Sequence, residues 1–188
     1  MSDMPLQLAV IIASTRTGRF GETVGRWFVT RAQQHDDLKL DVIALYDLQL
    51  PDSLEHSPHA AAYTARIDAA DAFVIVTPEY NHGYPAALKR AIDAVRAEWR
   101  AKPVGFVSYG GLAGGLRAVE QLRQVFAELH AVGIRDTVSF YMARDQFDSD
   151  GRLRDPHAGN TAAATLLRQL AWWARALHTA RAAQPYPA

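Results

Sequence analysis

The sequence predicts an α/β fold in which helices cover both faces of an open, parallel sheet. Two observations carry this expectation. Short apolar runs rich in β-branched residues recur along the chain, and amphipathic helical stripes separate them. Several of the runs lack polar alternation, as strands covered on both faces do.

Taken in order, Leu6–Ala13 is the first run, and Val24, Trp27, Phe28 and Arg31 mark the helix after it. Leu40–Leu45 and Ala72–Thr77 follow as the second and third strands. Leu88, Ala91, Ile92, Val95 and Trp99 then form one helical stripe. Val104–Ser108 is the fourth strand, and Val119, Leu122, Phe126 and Leu129 mark the next helix. Thr137–Met142 gives a weaker fifth strand, and Leu166, Leu170, Trp173 and Leu177 a final helix. The polar segment 145–156 reads as a loop or short hairpin around Asp150-Gly151, and the tail AAQPYPA as loose. No repeat or linker interrupts the pattern, so residues 1–188 are expected to form one domain.

Composition narrows the class. Half of the 188 residues are apolar, and 20 basic residues balance 20 acidic ones, so no global field favours nucleic acid or anionic membrane. Cysteine is absent, which excludes disulfides, thiolate metal sites and a cysteine nucleophile. The first apolar run is too short to span a membrane and has no basic leader before it; it reads as a strand, with the cytoplasm as the expected location.

In sheets of this kind ligands bind beyond the carboxyl ends of the strands, where strand order reverses. Three strand-end segments carry unusual chemistry. In 13–27, ASTRTGRFGETVGRW, Ser14, Thr15 and Thr17 offer hydroxyls, Gly18 lets the chain turn, and Arg16 and Arg19 add charge before a helix start. Hydroxyls, guanidinium groups and a helix N-terminus suit a phosphate. The segment matches neither a Walker loop nor a Gly-x-Gly-x-x-Gly turn. A polar connection with two solvated arginines is the plain alternative.

In 77–93, TPEYNHGYPAALKRAID, Pro78 and Pro85 fix the strand exit and the helix entry. Glu79, Tyr80, Asn81 and His82 lie between them. Backbone groups and Asn81 suit the edge of a flat heterocycle, and Tyr80 or Tyr84 its face; a well-capped helix start is the alternative. Glu79 and His82 lack partners for a metal. In 108–123, SYGGLAGGLRAVEQLR, four glycines within six residues let the main chain approach a bound group closely.

Smaller signals read as structure. Gln146-x-Asp148-x-Asp150-Gly151 has the wrong first and twelfth residues for a calcium loop and reads as a turn. His56 and His59 read as loop residues, and Trp99 and Trp172 as either core or interface.

Three stretches together resemble the NADPH-dependent FMN reductase family: Ser14-Thr15-Arg16-x-Gly18-Arg19, then Pro78-Glu79-Tyr80-Asn81 through Ala87-Leu88-Lys89, then Ser108-Tyr109-Gly110-Gly111. Ala13 stands where many members have glycine. The resemblance implies a flavodoxin-like, doubly wound, five-stranded parallel sheet of order 2-1-3-4-5. It also implies FMN as cofactor, with NADPH or NADH as co-substrate. On these terms Ser14, Arg16 and Arg19 bind the phosphate, within a first loop that also contains Thr15, Thr17 and Phe20. Pro78, Glu79, Tyr80 and Asn81 contact the ring, and Ser108, Gly110 and Gly111, with Tyr109 among them, line its pyrimidine side.

Flavin N5 then takes the hydride, so no catalytic side chain and no metal is expected. The resemblance further implies a small-molecule acceptor such as a quinone or free flavin, and a homodimer or a tetramer built as a dimer of dimers. A flavodoxin-like electron carrier and a biosynthetic flavin oxidoreductase acting on one metabolite are the rival functions.

Overall fold

The computed structural model describes residues 5–48, 50 and 57–187. Five parallel strands, β1 (Leu6–Ile12), β2 (Leu38–Ala44), β3 (Ala72–Pro78), β4 (Pro103–Tyr109) and β5 (Val132–Phe140), form one sheet. Their order is β2-β1-β3-β4-β5, the flavodoxin-like order. The helices are α1 (Gly21–Ala32), α2 (Pro58–Ala69), α3 (Ala86–Asp93), α4 (Leu116–Glu128), the single turn α5 (Ala143–Gln146) and α6 (Pro156–Ala183).

Strand alternation divides the core into two layers. Leu8, Val10, Val74 and Val76 pack with Val24 and Phe28 of α1 and Leu166 and Leu170 of α6. On the other face Ala9, Ile11, Phe73 and Ile75 pack with Ile67 of α2, Leu88 and Ile92 of α3, and Leu122 and Phe126 of α4. Every residue of β3 and β4 is buried, which accounts for their unbroken apolar character. Each fully buried Val, Leu, Ile or Phe contributes about 1.5–3 kcal/mol, so the central strands anchor the rim on which the site is built.

The structure corrects several boundaries. β5 begins at Val132, ahead of the expected Thr137, and ends at Phe140, before Met142. The apolar signal is weak because β5 is an edge strand with a bulge: Val104 pairs with Gly133, but Phe106 pairs with Thr137. Arg123 covers the displaced backbone, donating to the carbonyls of Ile134 at 2.7 Å and Arg135 at 2.9 Å.

α3 stops at Asp93, short of Val95 and Trp99. Trp99 returns to the core through a 3₁₀ turn and is fully buried, its indole N–H donating to the Ile92 carbonyl at 3.1 Å. On α6 the buried stripe is Ala163, Leu166, Leu167, Leu170, Ala171 and Ala174. Trp173 was expected on that stripe but is partly exposed, and Trp172 is mostly exposed.

His59 lies in the first turn of α2, not in a loop, and His56 lies outside the described residues. The tail is not loose throughout: Tyr186 places its hydroxyl 3.0 Å from Nδ1 of His130. The 145–156 hairpin is present, with Phe147 bridged to Leu153 and Gly151 at φ +76°.

Candidate functional site

Because β1, β3 and β4 are adjacent, the loops that leave their C-terminal ends share one rim. The first leaves β1 at Ala13, whose amide donates to the Val76 carbonyl at 2.9 Å. Ser14 is buried, whereas Thr15, Arg16, Thr17 and Gly18 are exposed. Gly18 turns the chain at φ +64°, and the loop runs through Arg19 into Phe20, the N-cap of α1. Phe20 makes no side-chain cap to α1, so the first turn presents amide groups and the positive end of its dipole at the rim.

Tyr109, at the end of β4, reaches the same place from below. A Cβ on Gly21 would lie 2.5 Å from the Tyr109 hydroxyl and 3.1 Å from Cβ of Ser14, so glycine is needed for this approach. The hydroxyl is buried and forms no well-aligned hydrogen bond among the described residues. Burial, reinforced by nearby Tyr80, raises the phenol above its ordinary pKa and keeps it a neutral donor, although the Ser14 side chain is close enough to pull that pKa slightly down.

The second loop folds into a tight turn. Tyr80 and Gly83 exchange backbone hydrogen bonds at 2.9 and 3.1 Å, and Asn81 and His82 take φ +47° and +76°, as a type I′ turn requires. Gln121 of α4 holds it by donating to the His82 carbonyl at 2.9 Å. Tyr80 sets its hydroxyl 2.8 Å from that of Ser14, and the Arg16 guanidinium stacks 3.7 Å from the Tyr80 ring centre. The phosphate-type loop and the ring-type loop are therefore one connected unit.

Glu79 is committed elsewhere. Its carboxylate accepts from the Arg117 side chain at 2.6 Å and from the Arg117 amide at 3.2 Å, capping α4. Its own amide donates to the Tyr109 carbonyl at 3.0 Å. The side chain thus fixes the second loop to the third. Tyr84 is half-buried against the core.

The third loop is held from β5. Gly110 donates to the Phe140 carbonyl at 3.1 Å, and the hydroxyls of Ser108 and Ser139 both donate to the Gly114 carbonyl at 2.9 Å. Ser108 is fully buried, so its hydroxyl shapes the loop. A Cβ on Gly115 would fall 2.6 Å from Cβ of Ser108, while one on Gly111 would meet nothing within 4 Å. Space therefore opens beside Gly111, next to the Tyr80 turn.

These residues fit a phosphorylated flat ring. The uncapped helix start, the Ser14 hydroxyl and Arg16 suit the dianion, and the Tyr109 hydroxyl, without a well-aligned hydrogen bond of its own among the described residues, supplies a donor. The Tyr80–Gly83 turn and the Gly110–Gly111 backbone flank an open edge. Arg19 differs from Arg16: it stacks 3.6 Å from the Tyr46 ring centre and is ion-paired with Glu22. Thr15 and Thr17 lie on the exposed part of the first loop, and Pro78 is buried at the end of β3. Sequence reasoning did not find Arg117 or Gln121. A basic residue at the start of a helix opposes the dipole, and that is the signal for a carboxylate partner such as Glu79.

Comparison with known proteins agrees with this geometry. The family described as NADPH-dependent FMN reductase matches residues 6–145. An NAD(P)H-dependent FMN reductase of Schizosaccharomyces pombe is 35% identical over 132 residues, covering 63% of this chain and 64% of the relative. An NAD(P)H:quinone oxidoreductase of Solanum tuberosum is 36% identical over 118 residues, covering 60% and 61%. The chain thus spans somewhat under two thirds of the length of these relatives. Among solved structures, the flavoenzyme NAD(P)H:(acceptor) oxidoreductase of Paracoccus denitrificans superposes with TM-score 0.72 at 21% identity, over 90% of this chain and 98% of that one. With the family match covering most of the sequence, the chain belongs to the NADPH-dependent FMN reductase family.

Proposed function

We propose that the protein is an NAD(P)H-dependent flavin oxidoreductase that holds FMN at this rim and passes two electrons to a small quinone, a free flavin or a similar acceptor. The observation that carries the proposal is the convergence of three strand-end loops, tied by the 2.8 Å contact between Ser14 and Tyr80 and the 3.0 Å bond from Glu79 to Tyr109.

Bound FMN would supply the hydride chemistry, accepting two electrons from the nicotinamide and yielding them to the acceptor. The protein's residues bind and orient. Ser14, Thr15, Arg16 and Thr17, with the α1 amides, hold the phosphate. Arg19 joins them on releasing Glu22. Phe20 walls the first loop against Tyr109, with ring centres 6.2 Å apart. Pro78, Tyr80 and Asn81 set the ring's position from the β3 side, with Glu79 acting through its backbone and its hold on α4. Gly110 and Gly111 bring main-chain groups to the pyrimidine side, backed by Ser108. No side chain has to act as nucleophile.

The family membership and the names of the relatives support FMN and NAD(P)H as the reactants. A homodimer, or a tetramer of two dimers, belongs to the same proposal. Its support is the cluster of exposed apolar side chains at Leu112, Leu116, Tyr141 and Met142 beside the third loop. No described helix is long and apolar enough to cross a membrane. A cytoplasmic location and a single domain over residues 1–188 complete the proposal, because NAD(P)H is the reductant required and one sheet carries both core layers.

The test is the visible spectrum of the purified protein, mass measurement of the released cofactor, and anaerobic mixing with NADPH followed by a quinone. Bleaching by NADPH and recovery with quinone are expected. A chain that takes up FMN but is not bleached would be an electron carrier, and one that takes up no FMN would refute the proposal.

A further inference from the structure

Three arginines that follow strand ends each lie over a different aromatic ring. Arg19 lies over Tyr46 beyond β2, and Arg16 over Tyr80 beyond β3. The third is Arg144 of α5, beyond β5, whose guanidinium carbon stands 5.2 Å from the ring centre of Phe20. Phe20 is the N-cap residue of α1, so the ring that Arg144 covers belongs to the helix start. Arg19 is neutralised by Glu22, whereas neither Arg16 nor Arg144 has a carboxylate within ion-pair distance among the described residues.

An independent observation marks the same spot as incomplete. The Tyr109 hydroxyl lies against Gly21, in the first turn of α1, on a residue only 5% exposed and without a well-aligned hydrogen bond among the described residues. The Phe20 ring links the two groups: its centre lies 6.2 Å from that of Tyr109 and 5.2 Å from the Arg144 guanidinium carbon. A neutral donor, an unpaired cation and uncapped amides at one point ask for a dianion.

The position of Arg144 is fixed by the glycine loop. The amides of Met142 and Ala143 donate to the carbonyls of Gly111 and Gly110 at 2.9 and 3.0 Å, and Gln146 donates to the Tyr141 carbonyl at 2.5 Å. The turn that carries Arg144 is thereby fastened to the loop that flanks the ring space.

We propose that Arg144 is a further phosphate-binding arginine, outside the first loop, closing the cradle from the β5 side while Arg16 closes it from the β3 side, and that the Tyr109 hydroxyl serves this phosphate end as a donor. The inference rests on the FMN function proposed above. The ligand chemistry is a phosphate monoester, and the source is the cofactor's own phosphate, not that of a phosphorylated dinucleotide.

The experiment titrates the full chain, freed of flavin, with FMN and separately with riboflavin, following flavin fluorescence. Arg144→Ala should weaken FMN binding about tenfold and change riboflavin binding less than twofold, with Arg144→Lys intermediate. Tyr109→Phe should weaken FMN selectively as well. Arg175→Ala removes an equal charge from α6, where Arg175 pairs with Asp37, and should leave both ligands unaffected. An FMN affinity unchanged in Arg144→Ala overturns the proposal, as does equal weakening of FMN and riboflavin, which would mark a packing effect through Phe20. A change in NADPH-over-NADH preference at constant FMN affinity assigns Arg144 to the dinucleotide and overturns it too. If the unmodified chain binds neither flavin, the function itself has failed; if it binds FMN well and the variants match it, only this inference has.

Discussion

The hydroxyl of Ser14, at the end of β1, lies 2.8 Å from the hydroxyl of Tyr80, in the loop after β3, and the two residues are 66 positions apart in sequence. That contact joins the part of the rim suited to a phosphate to the part suited to a ring. Tyr80→Phe removes the bond and keeps the ring on which Arg16 stacks. The net worth of such a bond is about 0.5–1.5 kcal/mol. The expected outcome is FMN affinity lowered two- to tenfold with the fold intact, read by fluorescence titration and circular dichroism; unaltered affinity would show that the two loops act separately.

Arg16 is exposed and has no carboxylate within ion-pair distance among the described residues, so its charge is available to a ligand. A charged hydrogen bond to phosphate contributes about 1.5–3 kcal/mol, and Arg16→Ala should weaken FMN binding roughly ten- to a hundredfold. Riboflavin, lacking the phosphate, should lose much less. Equal losses for the two ligands would place Arg16 at the ring.

Much of this was legible beforehand, for definite reasons. β1, β3 and β4 announce themselves because strands buried on both faces need continuous apolar runs, and the ligand edge follows from strand order. What sequence could not supply were pairings across long separations. Nothing in the sequence around Glu79 points to Arg117, 38 residues on, which takes its carboxylate. Arg144 follows a weak, bulged edge strand whose end was misplaced at Met142, so nothing marked it as a rim residue. Trp173 fits the apolar spacing of α6 and is nonetheless partly exposed, because small Ala171 and Ala174 form the packed face there.

Gly21 is a steric prediction. A methyl group there would meet the Tyr109 hydroxyl at 2.5 Å and Cβ of Ser14 at 3.1 Å. Crowding of this kind costs about 1–3 kcal/mol. Gly21→Ala should lower the urea midpoint accordingly, and Tyr109→Phe in the same chain should recover part of the loss by removing the oxygen. Full stability in the single variant would mean that the helix start moves freely relative to β4.

Glu79 should matter for stability before it matters for chemistry. Its side chain is 6% exposed and holds both the side chain and the amide of Arg117. Glu79→Ala leaves the α4 start uncapped and is expected to cost about 1–3 kcal/mol in chemical denaturation. Arg117→Ala should cost less, because the amide bond to Glu79 survives it. The reverse ranking would mean that the arginine, and not the cap, is the significant partner.

Lys102 supplies a prediction far from the rim. Its ammonium is buried and donates to the carbonyls of Ile67 and Asp68, at 3.0 and 2.7 Å, where α2 ends. Burial pulls its pKa down from 10.5 to about 8. Between those values the unfolded chain carries a proton that the native chain lacks, so stability rises with pH across the window and the penalty is complete below about 8. Tyr63 and Tyr109 oppose this only once the unfolded phenols ionise near pH 10, since burial raises both in the native state. Urea unfolding between pH 7.5 and about 9.5 should therefore show stability climbing in the unmodified chain and nearly flat in Lys102→Met. Parallel slopes in the two proteins would mean that Lys102 remains charged in the native state, held by the two carbonyls against the cost of burial.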